Sequence, residues 1–457
     1  MISDASLQEA VAPPRDAGVW TRQAVRYGIF PASLLFFWLA FISFTTALHP
    51  DEAAYKIVET GLFQGKWPYR DLFINRQPLT FLWYAPMGMG ASIRAEGLFA
   101  AAMIAASVPV VAMLARRWLT PRDSSVAAVV YAVLLANPFL TLRANVEAFM
   151  LLPLAAALVV SSPTLAGALF GVAVMTKFHA LVFAPVLLIV WRRQSHIVFL
   201  TAAAVCAVAS LPFIFIWHDY WYANVAFALA YSRYTSGDRL AELVSVNWSL
   251  VLPTLPIWIA ALVAAVVHRN GVLIVWAACG IVSIKASGSD FVHYYALLMP
   301  PLAILASDGV MYMYGRLPYR ILLVASSAPA IPLFCFALSV VLQRPLPAPN
   351  QLLGESVAHK DGELYVLGDR SEIYAYAGRQ PQRRFFSSIP LVMIPAWGEG
   401  AKAGLIACPP AILVVPDSPT YRVQWTEEIE RLYGTREDHS SGVVFTNPLY
   451  VCSTPPR

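Results

Sequence analysis

Long apolar runs separated by short charged loops dominate this chain. A helix rises about 1.5 Å per residue and a bilayer core is about 30 Å thick, so roughly 20 mostly apolar residues suffice to cross it. Runs of that length, or close to it, occur at residues 29–48, 95–115, 124–140, 146–160, 164–176, 179–191, 197–217, 249–267, 271–285, 291–307 and 321–342. The pattern predicts a polytopic α-helical membrane protein of about eleven transmembrane helices. The three runs between 146 and 191 are short, which leaves their number open.

Basic residues set the register. Arg15, Arg22 and Arg26 precede the first run, and Arg116, Arg117 and Arg122 follow the second. Arg192 and Arg193 follow the sixth, Arg269 the eighth, and Arg316 and Arg320 the tenth. Lys and Arg concentrate in cytoplasmic loops, and all of these fall on one side. The expectation is a cytoplasmic N-terminal segment (1–28), a transmembrane domain (29–343) and an outer C-terminal domain (344–457). The polar start, with no small-residue cleavage site after the first run, predicts a retained span rather than a removed signal.

Three outward loops stand out. In the first, residues 49–78, Ala54, Ile57, Val58 and Leu62 recur at helical spacing and predict an amphipathic helix lying at the membrane surface. A second, 218–248, is aromatic, charged and partly helical in pattern, and a third, 285–295, is short and polar. From about Arg344 a Pro-rich linker leads into alternating strand-like and helix-like stretches, which predicts a small extracytoplasmic α/β domain.

Composition confirms the class. With 457 residues, 58% hydrophobic and 13% charged, and a mean hydropathy of +0.60, the chain is too apolar for a soluble protein of this length. The net charge of +5 is spread over many loops and no basic, aromatic-interleaved stripe occurs, so nucleic acid is not an expected partner. Cys206, Cys279 and Cys335 lie in apolar runs, where a thiol behaves as a small hydrophobe. Cys408 and Cys452 fall in the predicted outer domain, where a disulfide and two free thiols are both open readings.

Ionisable residues at the ends of apolar runs cost a few kcal/mol unless they face water or a partner, and so are candidates for chemistry. Asp51 and Glu52 follow Pro50 where the first run ends. A helix start there favours an ionised Asp51, while the neighbouring Glu52 opposes it. A plain N-cap would account for an isolated Asp after Pro. The paired acid, and a following loop rich in Trp, Tyr, Arg and Lys, favour a general base at the membrane–water boundary. Glu147, beside Arg143 and Asn145, stands at the outer junction of the third and fourth runs, where it either caps a helix or orients a substrate. Lys177 and His179 interrupt an apolar stretch on the same side, with snorkelling the competing account of the lysine and simple packing that of the histidine. Arg76 and His293-Tyr294-Tyr295 complete a set with carboxylates at one end and cations at the other, a pattern suited to moving a group off a phosphate. No Walker loop, HExxH, CxxC or GxSxG competes. The sequence requires no cofactor, and a divalent ion on Asp51, Glu52 or Glu147 stays open because carboxylate ligands leave little spacing signature.

These residues resemble a known family, the bacterial GT-C membrane glycosyltransferases related to protein O-mannosyltransferases and to the lipid A aminoarabinose transferase. Asp51-Glu52 matches the acidic pair that opens the first outer loop, Gly65-Lys66-Trp67-Pro68-Tyr69-Arg70-Asp71 its turn, and Asn75-Arg76-Gln77-Pro78-Leu79 its Lys-Pro-Pro-Leu-like segment. The stretches around Glu147, Lys177 and His293 are similar to later motifs, and the C-terminal segment to the outer domain of many members. Arg76-Gln77 departs from the commoner Lys-Pro, keeping the charge but replacing an ammonium by a planar fork. The C-terminal domain is small, so acceptor choice is not legible in it.

The resemblance implies inverting transfer of a hexosyl or pentosyl group from a polyprenyl-phosphate donor, in the bacterial inner membrane, to an acceptor hydroxyl of a glycan, lipid or protein at the outer face. It implies Asp51 as general base supported by Glu52 and Glu147, and Arg76, Lys177, His293 and Tyr294 at the donor phosphate. Tyr55, Tyr69, Arg143 and Asn145 are then expected to contact acceptor or sugar. The competing class is a multi-span transporter or lipid flippase, which would show internal repeats and midplane charges. Here the charges gather at the outer ends of the runs and no repeat is visible.

Overall fold

The computed structural model describes residues 17–46, 48–90, 92–137, 140, 145–234, 250–286, 291–314, 339, 348–417 and 423–447. Four helices are long and apolar enough to cross a membrane: Gly28–Thr45, Arg94–Ala115, Ser195–Tyr231 and Val292–Tyr314. Shorter apolar helices cover Asp123–Leu135, Val146–Val159, Pro163–Thr176, Phe178–Val190, Leu252–Val267 and Gly271–Lys285. The predicted run 321–342 lies outside the described residues apart from Ser339.

Proline marks several helix starts because its missing N–H would be unsatisfied in the first turn anyway. Pro50–Phe63, Pro78–Gly88, Pro121–Leu135 and Pro163–Thr176 all begin this way. Thr120 and Ser162 cap the last two, accepting from Asp123 N–H and Leu165 N–H at 3.3 Å each. The helices pack in sequence neighbours and beyond. Ala17–Thr45 lies on Ile93–Ala115, Val146–Val159 lies between Ile93–Ala115 and Pro163–Thr176, and Leu255–Val267 lies on Met299–Tyr314. Small residues permit the closest approaches. A Cβ on Gly167 would stand 2.3 Å from Val198 O, and one on Gly309 1.9 Å from Ala260 O, so only glycine fits at these crossings.

Two boundaries differ from the hydropathy pattern. The run 197–217 does not end at His218: helical backbone continues through a 3-10 turn, a short α-helix and a π-turn to Phe227–Tyr234. The Pro163–Thr176 helix stops at Lys177, whose extended backbone (φ −159°, ψ 130°) separates it from the 3-10 turn Phe178–Phe183.

The loop after the first apolar run forms the predicted helix, Pro50–Phe63, but not on an open surface. Ile57 and Val58 are buried as the spacing requires, and so are Glu52, Tyr55 and Glu59, while Leu62 is exposed. The polar side faces other elements of the chain, with Tyr55 against Tyr84 and Glu59 toward Glu96, while the C-terminal domain contacts the helix through Glu372–Tyr376. That domain holds a four-stranded sheet in the order β1-β2-β4-β3, with β1 Leu364–Val366, β2 Ile412–Pro416, β3 Thr435–His439 and β4 Gly442–Thr446. β1 and β2 run parallel with Leu364 opposite Ile412, and the other pairs are antiparallel. Cys408 is disulfide-bonded, and Cys452 lies outside the described residues.

Candidate active site

The site is built at the head of the Pro50–Phe63 helix. His49 is its N-cap: Nδ1 accepts from Asp51 N–H at 3.3 Å, and His49 N–H donates to Glu52 Oε2 at 3.1 Å, a reciprocal capping box. Proline at the first position and two acids in the first turn suit the positive end of the helix. The adjacent acids part company here. Glu52 turns inward and is 1% exposed, whereas the Asp51 side chain keeps 36% of its surface.

Arg76 is the cation that faces Asp51, with Nη2 3.7 Å from Oδ1. The guanidinium is held on several sides: Nε donates to Tyr55 Oη at 2.9 Å, Nη1 to Asn75 Oδ1 at 2.8 Å and to Asn75 O at 3.2 Å, and the group lies 5.6 Å from the Tyr55 ring centroid. Tyr55 is itself clamped against Tyr84, with ring centroids 4.3 Å apart. Burial pushes the Asp51 carboxyl up, but Arg76, with His49 and His293, outweighs it and holds the group below the usual carboxylate value. Asp51 is thus ionised through the neutral range.

The turn before Arg76 is rigid for local reasons. Gly65 has φ +80°, a conformation that glycine adopts without strain. Trp67 N–H donates to Asp71 Oδ2 at 2.8 Å, and Arg70 grips the same carboxylate with two bonds of 3.0 Å. Tyr69, with φ 70°, is fully buried among Phe81, Phe213 and Tyr220, and its hydroxyl donates to Arg76 O at 2.6 Å. It therefore has no surface for a sugar, and its place is to hold Arg76. Tyr55, 3% exposed, holds Arg76 from the other direction, its hydroxyl accepting from the guanidinium Nε.

Behind this pair sits a second, buried set. Asn145, 2% exposed, is the N-cap residue of Val146–Val159, and Glu147 lies in the first turn of that helix. Glu147 Oε1 accepts from Lys177 Nζ, and His293 Nε2 lies 3.9 Å from the same oxygen. Lys177 also sits 4.1 Å from the Tyr294 ring centroid. Tyr294 is packed on its other sides by His293 and His179, at 4.6 and 5.1 Å between centroids. Lys177 is fixed by the break in its helix, whose last residue, Thr176, is tied to the Pro78–Gly88 helix by Thr80 Oγ1 (2.9 Å) and Trp83 Nε1 (2.8 Å). The structure therefore gathers Asp51, Glu52, Tyr55, Arg76, Glu147, Lys177, His293 and Tyr294 into one neighbourhood. It leaves Lys177 committed to Glu147 and Arg76 as the cation nearest Asp51. Arg143 lies outside the described residues.

The sequence reading passed over His49 and Asn75. Each carries a signal: His49 stands one residue before a proline-led helix start, and Asn75 opens the Asn75–Leu79 segment that bears the resemblance. Among the described residues no group of three or more His, Cys, Asp or Glu converges as a metal site.

No protein-family model matches the sequence, and no curated protein matches it. The three-dimensional arrangement is more telling. ArnT from Cupriavidus metallidurans bound to undecaprenyl phosphate superposes with a TM-score of 0.62 at 14% identity, over 93% of this chain and 98% of that one. The archaeal oligosaccharyltransferase AglB from Archaeoglobus fulgidus, in complex with an inhibitory peptide and a dolichol-phosphate, superposes with a TM-score of 0.60 at 12% identity, over 95% of this chain and 75% of that one. The chain has the fold of the GT-C membrane glycosyltransferases.

Proposed function

We propose that this protein is a membrane glycosyltransferase that moves a sugar from a polyprenyl-phosphate donor to an acceptor hydroxyl at the outer face of a bacterial inner membrane. The observation that carries the proposal is the ionised, partly exposed Asp51 set 3.7 Å from a buried-sided guanidinium at the head of the outer helix. A base and a phosphate-binding cation side by side, at membrane exit, are what such a transfer needs. The relatives in fold include structures bound to undecaprenyl phosphate and to a dolichol-phosphate, which supports a lipid-linked donor.

In the proposed reaction Asp51 takes the proton of the acceptor hydroxyl. The acceptor oxygen attacks the anomeric carbon, the bond from that carbon to the phosphate oxygen breaks, and polyprenyl phosphate leaves with the electron pair. In-line attack inverts the anomeric centre. Arg76 offsets charge growing on the phosphate. Glu52 holds the helix start that presents Asp51, and Glu147 holds Lys177 and His293 at the back of the site. Lys177 keeps ammonium protons beyond the one given to Glu147, so with His293 and Tyr294 it forms the second line of phosphate contacts. No step is routed through a metal. The N-terminus is cytoplasmic and the C-terminal domain extracytoplasmic in this reading.

Asp51→Asn tests it. Loss of a general base costs about 10²- to 10⁴-fold, so release of polyprenyl phosphate from a panel of polyprenyl-phosphate sugars should fall by that much while expression and Tm hold. Turnover within twofold of wild type would remove Asp51 from the role.

A further inference from the structure

Two hydrogen bonds fasten the outer domain to the turn that carries Asp51. Ser371 Oγ donates to Pro50 O at 2.6 Å, and Leu48 N–H donates to Tyr376 Oη at 3.0 Å. They bracket His49, whose ring accepts from Asp51 N–H and whose own N–H donates to Glu52. The bonds on either side of the cap thus come from a different domain, more than 300 residues away in sequence.

The fastening is rigid at its far end as well. Ser371 is 3% exposed and begins the turn into Glu372–Tyr376. That helix is tied to the sheet by Tyr374, whose hydroxyl accepts from Val366 N–H of β1 at 2.9 Å, and to the next layer by Asn350, which donates to Glu372 Oε1 at 2.9 Å. Asp51, by contrast, is loosely held through its side chain. Among the described residues its carboxylate makes no hydrogen bond, and its two ionic neighbours, Arg76 and His49, stand at 3.7 and 3.9 Å. Contacts at that range attract without fixing direction. What aims the carboxylate is therefore the backbone of residues 48–51, and what holds that backbone is the capping box together with Ser371 and Tyr376.

We propose that Ser371 and Tyr376 are positioning residues for Asp51, so that the outer domain completes the transfer site. The inference rests on Asp51 as the general base. A misplacement of about 1 Å in a reacting group can cost 10²-fold in rate, and loss of both bonds frees the turn to move by that order.

The test uses purified full-length protein in detergent. The donor is the undecaprenyl-phosphate sugar, chosen from a panel of hexoses and pentoses, that gives the fastest release of undecaprenyl phosphate with wild type. Ser371→Ala combined with Tyr376→Phe, which keeps the ring and removes only the hydroxyl, should lower kcat about 10- to 10²-fold and leave donor KM within about twofold. The acid limb of its pH–rate profile should move to higher pH, as Asp51 drifts from the cations that favour its ionised form. Ser371→Thr, which restores the hydroxyl, should recover most of kcat in the single-site background. A double variant with wild-type kcat overturns the positioning role, and an inactive Asp51→Asn in the same assay then leaves the base intact. A double variant in which kcat and Tm fall and donor KM rises together, with no rescue by Thr, shows merely structural bonds and also overturns it. Wild-type turnover in Asp51→Asn overturns the base and the positioning role together.

Discussion

Glu59 and Glu96 bury two carboxyls against one another beneath the site, each 1% exposed. Both oxygens of Glu59 and Oε1 of Glu96 have no hydrogen-bond partner among the described residues. Burial, with Glu96 adding to it, pushes the Glu59 carboxyl up from an ordinary 4.5 to about 8. The sign of the linkage follows. Between those values the folded state binds the proton and the unfolded state has lost it, so stability falls as pH rises from about 4.5 to 8 and is flat above. Glu59→Gln removes the titrating group and keeps an uncharged amide of the same shape. It should raise Tm at about pH 8.5 and change it little near pH 4.5; an equal effect at both values would show that Glu59 is not protonated in the folded state. Glu96 carried the sequence signal of a charge inside an apolar run. Glu59 did not, because a glutamate on an amphipathic helix reads as its wet face, and spacing alone does not show that it turns toward Glu96.

The elements that sequence predicts well are unbroken apolar runs, two of them opened by proline. Pro121–Leu135, Pro163–Thr176 and Gly271–Ala286 lie almost where the hydropathy pattern puts them. β2 and β4 were legible as apolar runs, ILVVP and GVVFT. β3 was not: Thr435–His439 reads TREDH because it is an edge strand, exposed along most of its length, where charge blunts further pairing. Nor could spacing reveal that Lys177 pairs with Glu147. That pair joins the start of one helix, Val146–Val159, to the end of the next, Pro163–Thr176. Removing one partner of a buried pair strands the other and costs about 3–5 kcal/mol. Lys177→Met should therefore destabilise strongly, and adding Glu147→Gln should recover much of the loss. If the two effects simply add, the pair contributes no coupling and the hairpin is held by packing alone.

At the scale of the molecule, the C-terminal domain is bound to the loop of residues 49–78 and to the segment after the Ser195–Ser210 helix. Lys66 Nζ donates to Pro381 O at 2.7 Å, Phe73 N–H to Arg384 O at 2.8 Å, and Arg384 pairs with Asp219 at 3.0 Å. All three contacts lie on the side that carries Asp51. The Arg269 turn lies at the other end, since the 16-residue helix Gly271–Ala286 must be traversed, at about 1.5 Å per residue, to come back to His293. The same argument places Arg269 about 24 Å from the site along the helix, most of the thickness of a bilayer core. Cysteines report which end faces outward. In a background with the other free thiols replaced by alanine, Glu399→Cys, on an exposed position of the outer domain, should react with a membrane-impermeant maleimide in cells whose inner membrane is intact. Arg269→Cys should react only after that membrane is opened. The reverse labelling would place Asp51 in the cytoplasm and turn the proposed transfer to the inner face.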